Sequence, residues 1–522
     1  MKTASDYPFV PVRESLADLV GDDHLQAVCG AYAGLRGKSA APALALARRP
    51  IDWYPKAFHR RLLKLLPQVG TPICTSARST ATGATSNAFA SATSTASAPL
   101  STLGFLRVGE DGRLRLISKS EHYHAPLGHA FPGYALIDVA RRLGIPNATH
   151  NNTRGLMTRL LEERLVAAAH GLNAERSAEF AHVLADPSLQ GLNRVLNLET
   201  GSLAVEAGVK YLLARFYRFL PEESAPPHAG RIPVLLVMGN KDGGLSANYH
   251  GTTVTTQLLR GLWPEVAERL DTVGFFRIHA IRPNVIADLD EAFARLDQAP
   301  FKIAGFIHEI VMMNYGALKL DPAFLRHAYA LCAKHDVPTL CDEIQSCLWA
   351  PGLFLYREYG LRPSMVALGK GFPGGEYPAS RLLFSAALDR LPQFGALVTN
   401  GQEELASLAY LITTHWAQRN GEVTRQLGDR FEAEVRDLAA QFPAQIASVT
   451  GYRHMIGMEF HDLPAARRFT AALTAAGLDI SAQTYKADCP PVALVKLPLT
   501  ACNTTIDAVI KRMRAVCQNL PS

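Results

Sequence analysis

The sequence predicts an α/β protein whose main sheet is largely parallel and sandwiched by helices. Two apolar runs of strand length, Val337–Cys341 and Pro363–Leu368, each deliver a polar residue at the C-terminal end, Asp342 after the first and Lys370 after the second. A helical stretch from Phe324 to His335 separates an earlier strand, Ala304–Glu309, from the first of these runs, and strand alternating with helix argues a parallel sheet. Open sheets of this kind place ligands at their C-terminal edge, which is where Asp342 and Lys370 fall.

At 522 residues and 48% hydrophobic content the chain has material for two or three domains with large cores. A net charge of +6 with no long Lys/Arg block gives no nucleic-acid patch. Eight cysteines without a Cys-x-x-Cys pair point to reduced thiols rather than zinc or disulfides. Met1–Pro8 lacks the apolar core of a signal peptide, and no apolar run approaches a membrane span. The expectation is a cytoplasmic, soluble protein with no nucleic-acid or membrane partner.

In chain order, residues 1–70 read as a helical N-terminal extension, with Arg60–Leu66 an amphipathic piece that packs on its own domain. Residues 71–100 are dominated by Ser, Thr and Ala and read as a linker or mobile loop, since so little apolar surface cannot offset ordering entropy. Residues 101–150 read as the N-terminal part of a small domain. There His122, His124 and His129 have no acid or cysteine at ligand spacing, which favours structural roles over a metal site. Residues 151–418 form the large domain. Its first helix spans Thr153 to Leu172, Leu196–Ser202 reads as a turn, and Ala204–Lys210 begins a helix whose free N–H groups make an anion site or simply a capped end. Ile232–Met238 is a buried strand and Ser380–Ser385 a returning one. In residues 419–522, the C-terminal small domain, a helix from Thr424 to Gln441 precedes strands at Gly451–Phe460 and Val492–Thr500. Lys496 is expected at the surface, where most lysines lie.

An acid and a lysine at neighbouring strand ends suit pyridoxal 5′-phosphate, the lysine amine forming an imine with the cofactor aldehyde and the acid facing the pyridine nitrogen. Each alone reads equally as a buried strand-end Asp and a surface lysine in a glycine turn. Together, Asp342-Glu343-Ile344-Gln345, Leu368-Gly369-Lys370-Gly371 and Gly374-Gly375-Glu376-Tyr377-Pro378 resemble the class III (ornithine/ω-type) aminotransferases of fold type I. The resemblance implies a large cofactor-binding domain plus a smaller α+β domain. It implies that Lys370 carries the internal aldimine, Asp342 faces the pyridine nitrogen and Gln345 reaches the ring hydroxyl. Thr200-Gly201-Ser202 is similar to the family's Ser-Gly-Ser, which assigns Gly201 and Ser202 to the phosphate. Tyr249-His250-Gly251 is similar to its Tyr-His-Gly, which puts Tyr249 over the ring and His250 at the cofactor; taken alone, Tyr249 reads as core packing. Glu309 matches a family Glu that orients the Asp342 network, and pairing with a loop amide is the competing role. Thr399 matches a Thr that reaches the phosphate of the other subunit, implying a homodimer with shared sites; a plain helix N-cap is the competing role. The chain departs from the pattern at Leu203, Ile310, Met312, Met313, Cys347, Asn400 and Glu404.

The implied function is transfer of an amino group between a small-molecule amino donor and a keto acid, ketone or aldehyde. Aminomutases, epimerases and decarboxylases of the same family reuse these residues. Asp342-Glu343 after an apolar run also resembles a Walker B segment, although no Gly-x-x-x-x-Gly-Lys-Ser/Thr loop accompanies it. A non-catalytic relative is a further alternative, motivated by Leu203, Cys347 and Glu404.

Overall fold

The computed structural model describes residues 6–78, 81–119, 123–172, 177–483 and 490–520. His122 and Cys489 lie outside them. A seven-stranded sheet forms the centre, built from β1 (Arg194–Leu198), β2 (Ile232–Met238), β3 (Arg277–Ile281), β4 (Phe301–His308), β5 (Thr339–Asp342), β6 (Met365–Leu368) and β7 (Ser380–Phe384). Their spatial order is β1-β7-β6-β5-β4-β2-β3. Strands β2 to β6 are mutually parallel, while β7 pairs antiparallel with both β6 and β1.

Both faces of the sheet are covered. Phe306, Cys341 and Val366 pack into one core, and their strand neighbours Ile307, Leu340 and Ala367 into a second on the opposite face. That double burial is why β2, β5 and β6 read as unbroken apolar runs rather than alternating ones. β1 departs from expectation: Arg194–Leu198 is a strand, and only Glu199 and Thr200 remain to turn the chain into the Gly201–Leu213 helix. As an edge strand pairing only with β7, it leaves Arg194 and Val195 partly exposed, so no continuous apolar run advertises it.

The remaining strands form smaller sheets. Pro99–Leu103, Leu106–Gly109 and Leu114–Ile117 are antiparallel, and Leu478–Asp479 adds in parallel from the C-terminal region. Gly451–Phe460 is not one strand. The chain reverses at Arg453, whose φ is +53°, between Ile446–Tyr452 and Met455–Phe460. Ion pairs from Arg453 to Glu358 and Asp429, each at 2.9 Å, hold that left-handed turn. Val492–Lys496 and Ser481–Ala482 complete this sheet.

Residues 6–70 contribute helices at Leu16–Val20, Asp22–Arg36, Ala41–Ala47 and Lys56–Leu65, with a small antiparallel pair, Arg13–Glu14 and Ile51–Asp52. Leu62, Leu65 and Leu66 are buried. Within residues 71–100, backbone bonds from Ile73 to Gly112 and from Ala77 to Glu110 fasten the segment beside the Leu106–Ile117 hairpin, and Asn87–Ala92 is helical. Among the described residues no helix is long and apolar enough to cross a membrane.

Candidate active site

At the C-terminal edge of the central sheet, residues following β1, β5 and β6 and the start of the Gly201–Leu213 helix surround a cavity of about 290 Å³. Gly201, Ser202, Tyr249, His250, Asp342, Gln345 and Lys370 all line it. Glu309 stands one layer behind, accepting a bond from Gln345 Nε2 at 3.2 Å. Thr399 is exposed and does not line the cavity within this chain. Nor does it cap the helix that follows, whose N-cap is Glu403.

Asp342 is the last residue of β5 and is buried. His250 Nδ1 donates to its Oδ2 at 2.8 Å, and the backbone N–H of Ile344 donates to Oδ1 at 3.0 Å. Both oxygens therefore hold donors, so neither is left unsatisfied in its buried position. Lys370 follows β6 after a single glycine and has a φ of +43°. A side chain there costs about 1 kcal/mol of backbone strain, offset by the packing that fixes the turn. Its amine lies 5.0 Å from the centre of the Tyr123 ring. Burial pulls the amine's pKa below its ordinary value, while the carboxylates of Glu309 and Asp342 resist. The result is a lysine more readily available as a neutral nucleophile.

At the opposite end, the Gly201–Leu213 helix presents its N-terminus. Thr200 is the N-cap, and Ser202 Oγ accepts the backbone N–H of Thr252 at 3.2 Å. Gly251, with φ +144°, crosses so close that a Cβ would sit 2.7 Å from the Ser202 backbone. Only glycine permits this approach. Leu203 stands where the family pattern has Glu, and Glu206, one turn on, takes over the polar link. It accepts from Thr253 Oγ1 at 2.8 Å and Thr255 Oγ1 at 3.1 Å, tying the helix to the N-terminal end of the Val254–Leu259 helix.

An amine, a carboxylate and a helix N-terminus around one cavity match the aldehyde, ring nitrogen and phosphate of pyridoxal 5′-phosphate. The donor set therefore fits the cofactor. Sequence reasoning also passed over residues of the cavity wall. His124 was weighed only as one of three histidines, and Glu199 only as part of a turn, yet both line it. Neither carries a periodic or spacing signal. Lys496 corrects an expectation: it is fully buried, not at the surface. Its amine donates to the Gln345 carbonyl at 2.5 Å and lies 3.5 Å from the centre of the Trp349 ring and 4.5 Å from that of Tyr123. Two aromatic faces and one carbonyl replace the water that an exposed lysine would have, and burial pulls the amine's pKa well below its ordinary value. Among the described residues no cluster of His, Cys, Asp or Glu could hold a metal.

Comparison with known proteins gives a consistent result. Residues 133–516 match the family model described as Aminotransferase class-III. Acetylornithine aminotransferase of Haemophilus ducreyi is 26% identical over 402 residues, covering 73% of this chain and 91% of that protein. Ornithine aminotransferase of Emericella nidulans is 32% identical over 203 residues, covering 37% of this chain and 40% of that protein. The crystal structure of ornithine aminotransferase from Toxoplasma gondii superimposes with a TM-score of 0.61 at 18% identity, covering 80% of this chain and 90% of that one. That likeness shows a shared fold.

Proposed function

The chain belongs to the class-III aminotransferase family, whose members use pyridoxal 5′-phosphate, and from that membership we propose the role of each residue in the cavity. When bound, the cofactor supplies an aldehyde that condenses with amines and a protonated ring that withdraws electrons. Lys370 provides the amine for that condensation. With its amine free, Lys370 would be the base at the cavity that takes and returns a proton at the substrate carbon. Asp342, held by His250 and the Ile344 N–H, would face the ring nitrogen, where a carboxylate favours the protonated ring. Gln345, steadied by Glu309, faces the ring hydroxyl. Tyr249 covers a ring face and excludes water. The N–H groups of Gly201 and Ser202, at the helix N-terminus lining the cavity, would hold the phosphate.

The substrates are a small-molecule amino donor and a carbonyl acceptor. Ornithine and N-acetylornithine, from the names of the relatives, are the first donors to screen. We also propose a homodimer in which Thr399 of each protomer serves the partner's phosphate site, a role suited to its exposed position outside its own cavity.

The observation that carries this reading is the convergence of Lys370 and Asp342, from neighbouring strand tips, on one cavity that ends at a helix N-terminus. Replacement Lys370→Ala is expected to lower amino transfer by at least about a thousandfold, the scale of losing a covalent catalyst, while some non-covalent cofactor binding remains. Wild-type turnover in that variant, measured by keto-product release, would refute the assignment.

A further inference from the structure

Besides Asp342, one other acid lines the cavity. Glu199 lies in the turn between β1 and the Gly201–Leu213 helix and is half-buried. Among the described residues its carboxylate makes no hydrogen bond and no ion pair. The helix that follows does not supply a donor, since Thr200 is its side-chain cap and the next N–H groups, of Gly201 and Ser202, are those assigned to the phosphate. An acid left without a partner loses water when a ligand fills the cavity, and that loss is costly unless the ligand brings a positive charge.

The same wall offers little to a substrate carboxylate. Among the described residues Lys370 is its one lysine, and no arginine lines it. Its other basic side chains are His124 and His250, and His250 is bound to Asp342 at 2.8 Å. Two cations close by are kept out of the cavity. Lys496 is enclosed by the rings of Trp349 and Tyr123 and donates to the Gln345 carbonyl. Arg141, outside the lining, donates to Tyr377 Oη at 2.6 Å and pairs with Asp138 at 2.8 Å. Residues 397–402, the segment around Thr399 that is proposed to serve the partner's phosphate site, contain no lysine or arginine. A phosphate at the helix start adds negative charge beside Glu199, so this end of the cavity favours a cation over a second anion.

We propose that Glu199 selects the amino donor by charge, accepting an ammonium group that the substrate carries at the end away from its reacting amine. The substrate class is amines with a second positive charge, such as α,ω-diamines, in preference to amines that end in a carboxylate. This rests on the reading that the cofactor lies between Lys370 and the helix start. The half-buried position suits the role, because a charge pair shielded from bulk water is stronger than one at the open surface.

The test compares the diamines putrescine and cadaverine with pentylamine and hexylamine, which end in a methyl group, and with δ-aminovalerate and ε-aminocaproate, which end in a carboxylate. In the wild-type holoenzyme kcat/KM should be at least about tenfold higher for a diamine than for its methyl counterpart, the scale of one shielded charge pair, and lowest for the carboxylates. In Glu199→Gln the ratio of diamine to methyl counterpart should fall to near one, and Glu199→Lys should place the carboxylates above the diamines. A readout without turnover uses holoenzyme reduced with borohydride, in which the bond between Lys370 and the cofactor no longer exchanges. There, calorimetry should show putrescine or cadaverine binding about tenfold more weakly to Glu199→Gln than to wild type. Equal kcat/KM for diamines and their methyl counterparts in wild type, or a diamine preference that survives in Glu199→Gln, would overturn the role of Glu199 while leaving amino transfer intact. A holoenzyme without the absorbance of a lysine-bound cofactor would instead overturn the reading of Lys370, and this inference with it.

Discussion

Glu343, next to Asp342 in sequence, has an unrelated task. It is fully buried, its Oε1 accepting the N–H of Tyr356 at 2.6 Å and its Oε2 that of Leu355 at 2.9 Å. Burial raises its pKa from the ordinary 4.5 to about 7, against the pull of those two N–H groups. A raised carboxyl pKa means that the folded state holds the proton more tightly than the unfolded chain. The stabilisation is therefore complete below pH 4.5 and is lost as the pH rises through about 7. Glu343→Gln, which does not titrate, should gain thermal stability relative to wild type across that window. A constant difference in melting temperature from pH 4.5 to 7 would show that Glu343 does not titrate there. Lys496 makes the complementary point. A lysine at a strand end reads as exposed, but the strand lies inside a sheet packed on the large domain, and only the fold brings Trp349, Tyr123 and the Gln345 carbonyl around the amine.

Helix ends account for one of the departures from the family pattern. Glu404 replaces an uncharged residue of the motif, which by itself raised the question of lost function. In the fold, Glu404 is buried and reaches across to the Leu156–His170 helix. There its carboxylate accepts the N–H of Met157 at 3.0 Å, the N–H of Thr158 at 3.3 Å and the Thr158 hydroxyl at 3.0 Å. Gly155, the N-cap of that helix, offers no side chain for the task, so a residue far along the chain supplies it. Negative charge at a helix N-terminus also opposes the positive end of its dipole. Glu404→Ala strands those donors and should destabilise the protein by about 3 kcal/mol, read by urea denaturation. A loss under about 0.5 kcal/mol would mean that water satisfies the helix end instead. The same contacts pin the loop carrying Gln402, whose carbonyl accepts from Thr149 at 2.9 Å and Thr158 at 3.0 Å, just after Thr399. The substitution thus serves the architecture around the proposed shared site.

For the whole molecule, the proposed dimer makes a prediction that no single chain can satisfy. If Thr399 works in the partner's site, Lys370→Ala and Thr399→Ala subunits mixed by refolding should complement, because half the dimers are mixed and each mixed dimer keeps one intact site, giving about a quarter of wild-type activity. Activity no higher than the average of the two separate variants would refute shared sites. The sequence by itself determined the α/β class, the parallel central strands and the residues at their tips. Those features are local: a doubly buried strand must be an unbroken apolar run, and a ligand edge must end that run with a polar side chain. Tertiary structure alone decided that Arg194–Leu198 is an edge strand, that Lys496 is buried and that Glu404 caps a helix some 250 positions earlier. Each of these depends on partners distant in the chain, and a side chain's environment, unlike its backbone preference, is set by whatever the fold brings beside it.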